Sequence, residues 1–470
     1  MRAATAALAA ALALAAGCGG EPAPAPPGST RAATLVDRDG DGALERGPGE
    51  PLRDRTELGG GGRRGATLAT FAQITDAHVR DEESPARVPF LDRLGGVFGP
   101  AFRPQEALSA QVLAATVRSL NRVHPQAVAV TGDIADNAQV NELALARTLL
   151  AGGRARPDSG APGYAGVQEG GNPDPFYYRP DHDPPRHPGM LGAAQRAFAA
   201  PGLDAPWYPA LGNHDLLAQG ETPPTAAIRA VATGDRLTEA LDPGLRPDPG
   251  ADSAAAVDAL IAAGVPGRSR AVAADPRRRL VTPAEAAAML GRRLRAGRLD
   301  YTFDIGRSVR AIVLDSVDRR GGNRGRLTAG QLAWLRAELG RTGDRYVVVF
   351  THNPLEESAG GAAALAALDA APRVVAVIAG NRHRNAIAPR RQGPYWLIRT
   401  ASLADFPQQA RAFRLLRTGR GVALETWMVD HDGRGLAGIS RELAFLDAQG
   451  GRPRGLAGRR PDRNVRLYLP

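Results

Sequence analysis

The sequence predicts an α/β protein whose sheet is covered by helices. Three observations carry this: short β-branched or alanine-valine runs that stop at polar residues, helical periodicity between those runs, and too much glycine and proline for a helical bundle. Glycine and proline contribute 56 and 38 of the 470 residues, which implies many turns and long loops. With 43% apolar and 23% charged residues, most of the chain can build a core. The length admits one large domain with insertions, or two to three ordinary ones.

The first strand is Ala69-Thr70-Phe71-Ala72-Gln73-Ile74-Thr75, ending on Asp76. From Gln105 to Val123 apolar residues recur at helical spacing, with Pro104 just ahead. A second strand, Ala127 to Thr131, stops at Gly132-Asp133, and a helix is expected from Gln139 to Leu150. Gly152 to Pro188 reads as a long loop containing Phe176, Tyr177 and Tyr178. A third strand, Trp207 to Leu211, runs into Gly212-Asn213-His214-Asp215. Pro223 to Asp300 is alanine-rich and reads as a mostly helical insertion or cap. Tyr301 to Asp304 and Val309 to Leu314 form a hairpin pair, and Thr328 caps a helix reaching Leu339. Tyr346 to Phe350 and Val374 to Ala379 are buried strands, followed by a strand at Trp396 to Arg399. His431-Asp432-Gly433 reads as a hairpin turn without chemistry.

Ahead of the first strand, Arg2 precedes an apolar stretch, Ala3 to Ala16, too short to span a bilayer but suited to a secretory signal. Ala15-Ala16-Gly17-Cys18 resembles a bacterial lipoprotein cleavage box, which would make residues 1–17 a signal peptide and Cys18 the lipidated residue. Leu14 stands one place further from the cysteine than usual, so plain secretion is the alternative. The lone cysteine excludes an intramolecular disulfide. Residues 18–65 read as tether and linker, and 66–470 as one domain with insertions at about 151–206 and 216–300. Within the tether, Asp37, Asp39 and Asp41 alternate as in a calcium loop, but Pro48 stands where the closing glutamate belongs; a surface turn is the better reading.

The net charge is +10, and all 59 basic residues are arginine. They are dispersed, so nucleic acid is not the expected partner, and membrane contact is expected through the lipid anchor alone.

The chemistry gathers where strands end. Asp76 with His78, Asp133, Asn213 with His214, His352, and Asn381 with His383 each follow a predicted strand, and four of the eight histidines fall there. In an extended segment Asp76 and His78 would share one face. Oxygen and imidazole donors suit Mn, Fe or Zn, and the cysteine count excludes a thiolate site.

These blocks, Asp76-Ala77-His78, Gly132-Asp133-Ile134-Ala135-Asp136, Gly212-Asn213-His214-Asp215, Thr351-His352 and Gly380-Asn381-Arg382-His383, resemble in residues and order the calcineurin-like metallophosphoesterase superfamily, most closely its secreted or lipid-anchored actinobacterial branch. The resemblance spans roughly residues 69 to 390. It implies a four-layer αββα sandwich and hydrolysis of a small phosphate monoester or diester by a water activated between two metal ions. It also implies Asp76, His78, Asp133 and His383 as ligands of one ion. Asp133 would bridge to a second ion, completed by Asn213, His352 and Asn381. Asn381 departs from the usual Gly-His-x-His pattern, which favours Mn or Ca over Zn at that position. His214 would protonate the leaving alkoxide, with Asp215 or Asp136 holding its ring. Asn213, Asn137, Arg382, Tyr177 and Tyr178 are candidate substrate contacts, and the segment Ala401 to Pro407 resembles a site-lining turn. A lipid-anchored binding protein on the same fold is the alternative reading.

Overall fold

The computed structural model describes residues 28–87, 102–242, 244, 253–265, 267–450 and 455–470. The expected leader 1–17 and Cys18 lie outside them.

Two sheets face each other. The first joins seven strands: β1 (Arg53–Arg55), β2 (Arg64–Ile74), β3 (Val128–Thr131), β4 (Trp207–Ala210) and, from the far end of the chain, β11 (Gln409–Thr418), β12 (Gly421–Asp430) and β13 (Val465–Leu469). The second joins six: β5 (Tyr301–Ile305), β6 (Val309–Leu314), β7 (Tyr346–Thr351), β8 (Val374–Ala379), β9 (Ala386–Arg390) and β10 (Tyr395–Arg399). The spatial orders are β1-β13-β12-β11-β2-β3-β4 and β5-β6-β7-β8-β10-β9. In the first sheet β2, β3 and β4 run parallel; in the second, β6, β7, β8 and β10 do.

Alternation along the strands sets the layers. Ala69, Phe71, Ala127 and Ala129 join the core between the sheets. Ala72, Ile74, Val128 and Val130 pack outward, against Val112, Leu113 and Val117 of α1 (Ser109–Asn121) and Leu143 and Ala146 of α2 (Val140–Ala151). The inner core continues through the six-stranded sheet to Leu335 of a helix at Ala329–Leu339 and to Leu365 and Leu368 of one at Gly361–Asp369. The result is an αββα sandwich. Strands β7 and β8 are buried on both faces, which is why they read as unbroken apolar runs. Across the middle, Phe71 stacks on Phe413 at 4.7 Å and meets Phe350 edge-on at 5.9 Å, while Tyr208 stacks on Phe303 at 3.6 Å.

Several expectations need correction. Residues 28–58, read as tether, are woven into the domain. Ala33–Val36 and Glu45–Pro48 form an antiparallel ribbon, β1 pairs with β13, and Thr30 N–H donates to Met428 O at 3.0 Å. The insertion from 216 to 300 is not mostly helical, since Arg236–Leu241 and Gly267–Ala271 form a second ribbon. His431-Asp432-Gly433 is not a hairpin turn. Asp432 is held by Arg118 at 2.6 Å, and the chain passes from β12 into a helix at Leu436–Gln449; the β11–β12 hairpin turns instead at Gly419-Arg420.

Candidate metal centre

Five of the parallel strands, from both sheets, end at one place, and each hands over a polar side chain within three residues. Strand β2 leads to Asp76 and His78, β3 to Asp133 and Asp136, β4 to Asn213, β7 to His352, and β8 to Asn381 and His383. A single contact shows that the two sheets meet there: His352 Nδ1, beyond β7, lies 2.7 Å from Thr131 O at the end of β3.

The backbone is unusual at these positions. Among described residues ten non-glycine residues have left-handed φ, and five belong to this set: Asp76 (52°), His78 (45°), Asp133 (47°), Asn381 (63°) and His383 (51°). Such a conformation costs about 1–3 kcal/mol per residue and concentrates at functional sites. It also corrects the expectation that Asp76 and His78 share the face of a strand. Strand β2 stops at Ile74, and the backbone beyond it is irregular, with left-handed φ at both Asp76 and His78. Close approach matters as well: a Cβ on Gly132 would fall 2.5 Å from His352 Nδ1.

Ligating atoms of Asp76, His78, Asp133 and His383 all lie within 4.8 Å of one another. The three imidazoles are held alike. His78 Nδ1 meets Asp136 Oδ1 at 2.9 Å, His383 Nδ1 meets Asp405 Oδ2, and His352 Nδ1 meets the Thr131 carbonyl. Carboxylates and carbonyls only accept, so each Nδ1 carries hydrogen and each Nε2 points inward as the donor atom. His78 Nε2 and His383 Nε2 stand 3.2 Å apart and face one point. On the other side His352 Nε2 lies 2.9 Å from Asn213 Oδ1 and 3.1 Å from Asp133 Oδ2, so Asp133 stands between two groups of donors.

The charge balance asks for a cation. Asp76 and Asp133 are buried, and among the described residues their partners are histidines, backbone N–H groups and Thr75, with no arginine. Burial disfavours the imidazolium of His352 and of His383, yet Asp133 beside the first and Asp76 with Asp405 beside the second outweigh it. They push these groups up to about 9 and about 10. Burial and neighbouring His214 push His78 down to about 4. Protons thus gather where two carboxylates lack positive partners, and divalent ions suit the same donors.

The remaining candidates divide. His214 N–H donates to Asp133 Oδ1 at 2.8 Å, and its Nδ1 donates to the Asp136 carbonyl at 2.6 Å; its side chain stays 20% exposed. Asp215 does not hold that ring: it accepts from the N–H groups of Ile134, Ala135 and Gly212, pinning two motif loops together. Asn213 donates Nδ2–H to Gly220 O at 2.9 Å, while Asn137 accepts from Gln219 N–H at 2.6 Å and thereby fixes the loop after His214. Arg382 is paired with Glu357. Asn381 donates its backbone N–H to Asp76 and its side-chain amide to Asn323 O at 3.2 Å. Tyr177 and Tyr178 do not wall the site. Tyr177 packs with Phe102, Val167, Leu237 and Val272, and Tyr178 is bonded to Pro185 O. Asp37, Asp39 and Asp41 approach one another within 4.8 Å, and each accepts a nearby backbone N–H, as a polar turn does. Asp405 lies in the segment noted between Ala401 and Pro407, but its grip on His383 had no signal in the sequence.

No protein-family model matches the chain, and no curated protein matches it. Solved structures similar to it include a dimetal phosphatase from Danio rerio (14% identity, 78% of this chain and 97% of that one, TM-score 0.42). PhoD is similar over 83% of this chain and 78% of its own, at 12% identity and TM-score 0.33. The sulfate thiohydrolase SoxB of Thermus thermophilus is similar over 82% and 60%, at 14% identity and TM-score 0.31. No helix among the described residues is long and apolar enough to cross a membrane.

Proposed function

We propose that this chain is a metallophosphoesterase of the calcineurin-like kind, hydrolysing a phosphate monoester or diester with two bound divalent ions. The observation that supports it most is the inward convergence of His78, His352 and His383 Nε2 around two buried carboxylates that no arginine among the described residues neutralises. Asp76, His78, Asp133 and His383 would hold one ion, and Asp133, Asn213 and His352 the other, with Asn381 beside them. Mn, Fe or Zn suits these donors. Ions bound there supply an activated water and offset charge on the phosphoryl oxygens.

The protein's own part is positioning and proton transfer. Asp136, Asp405 and the Thr131 carbonyl fix the imidazole tautomers before any ligand arrives. His214 has Nδ1 occupied by a carbonyl, so the proton it exchanges sits on Nε2, and it serves as the acid for the leaving alkoxide. Export, with Cys18 carrying lipid, completes the proposal; mass spectrometry of the N-terminal peptide from membranes tests that part.

Chelator-stripped protein is expected to lose hydrolysis of an aryl phosphate or aryl phosphodiester and to regain it with Mn or Fe. Equal turnover with and without metal would overturn the reading. Two bound ions without turnover on either ester would favour a binding protein.

A further inference from the structure

His78 and His383 reach the candidate ion position from opposite ends of the sequence, and behind each stands an aspartate and then an arginine. Behind His78, Asp136 Oδ2 accepts from Arg80 Nε at 2.9 Å. Behind His383, Asp405 Oδ1 accepts from Arg103 Nε at 2.5 Å, and Asp405 Oδ2 from Arg103 Nη2 at 3.2 Å. The two arms then meet. Glu106 Oε2 accepts from the Arg80 guanidinium and, at 2.9 Å, from the backbone N–H of Arg103, while its other oxygen pairs with Arg87 at 2.5 Å. The arms form a ring of charge-assisted bonds whose gap lies between the two Nε2 atoms. Glu106, Arg80, Asp136 and His78 are all at least nine-tenths buried.

We infer that Glu106 is a positioning residue for the ion held by His78 and His383, setting the spacing of both imidazoles through Arg80 and Arg103. The inference rests on the metal reading above. Rigid partners behind a ligating histidine are worth about 10–100-fold in metal affinity, and here one carboxylate governs two such partners. Asn213 and His352, which would hold the second ion, lie on the other side of Asp133 from His78 and His383, so that ion should feel little of the change.

The test is Mn(II) titration of full-length, chelator-stripped protein, reading stoichiometry and both dissociation constants. Wild type is expected to take two ions. Glu106→Ala should weaken one of them about 10–100-fold and spare the other, with Glu106→Gln intermediate because it keeps an acceptor for the Arg103 N–H. Arg80→Gln and Arg103→Gln give a version less exposed to misfolding. Joined through Glu106, their combined loss should fall short of the sum of the single losses, and the two should become additive in Glu106→Ala protein. Two unaltered ions in every Glu106 variant would overturn the inference and leave the metal site standing. Equal weakening of both ions, or additivity in the wild-type background, would also overturn it. A wild-type chain that holds no Mn would overturn the metal reading itself and this inference with it.

Discussion

Phe350 and His352 are two residues apart and almost equally buried, at 1% and 0% exposure, yet they belong to opposite kinds of interior. Phe350 sits among aromatic rings between the sheets, where burial stabilises the fold. His352 lies where burial has to be offset by carboxylates, fixed tautomers and left-handed neighbours. The first interior holds the protein together. The second is held in place by the first and gathers the groups of the candidate metal centre.

That contrast can be broken from either side. The largest effect expected on chemistry is from His214→Ala, which should slow turnover roughly 10²–10⁴-fold while metal content and unfolding temperature stay near wild type. Loss of the ions instead would make His214 part of the binding set. On the other side, Phe350→Ala should cost about 3–5 kcal/mol of stability, measured by urea unfolding. The molecules that remain folded should keep their metal content.

A smaller effect concerns pH. His352 and His383 have folded-state values of about 9 and about 10, above the roughly 6.5 of a free imidazole. The stability they contribute to metal-free protein is therefore complete below pH of about 6.5 and is lost as pH rises through those values, an effect on the order of a few kcal/mol. Bound Mn should flatten this decline, and Mn affinity should climb over the same window because the ion displaces those protons. Urea unfolding with and without Mn across the range would expose a wrong sign at once. The smallest effect is expected far from the site. Thr328→Ala removes the cap that closes a box with Gln331, which should cost about 1 kcal/mol and leave turnover unchanged.

The strands and most donor residues were legible because each signal is local: an apolar run, a glycine, then Asp, Asn or His. What escaped is what depends on distance along the chain. Nothing near Arg103 marks it among 59 arginines, since its partner Asp405 lies about three hundred residues away. Tyr177 read as a pocket wall because its loop lacks periodicity, but its ring is buried by Leu237 and Val272 from another insertion. Asp76 and His78 were correctly paired by spacing yet given the wrong geometry, because turns after a strand obey no period of two.

The junction of β1 with β13 carries a practical consequence. Strand β1, ahead of the first motif, and β13, at the far end of the chain, form the sheet border opposite β4, so an N-terminal truncation to the first motif would strip that border. It would bare the backbone N–H and C=O groups of Val465–Leu467, a strand edge open to pairing with another molecule. Shortened versions should therefore fail by aggregating in the test tube long before they fail at the reaction centre.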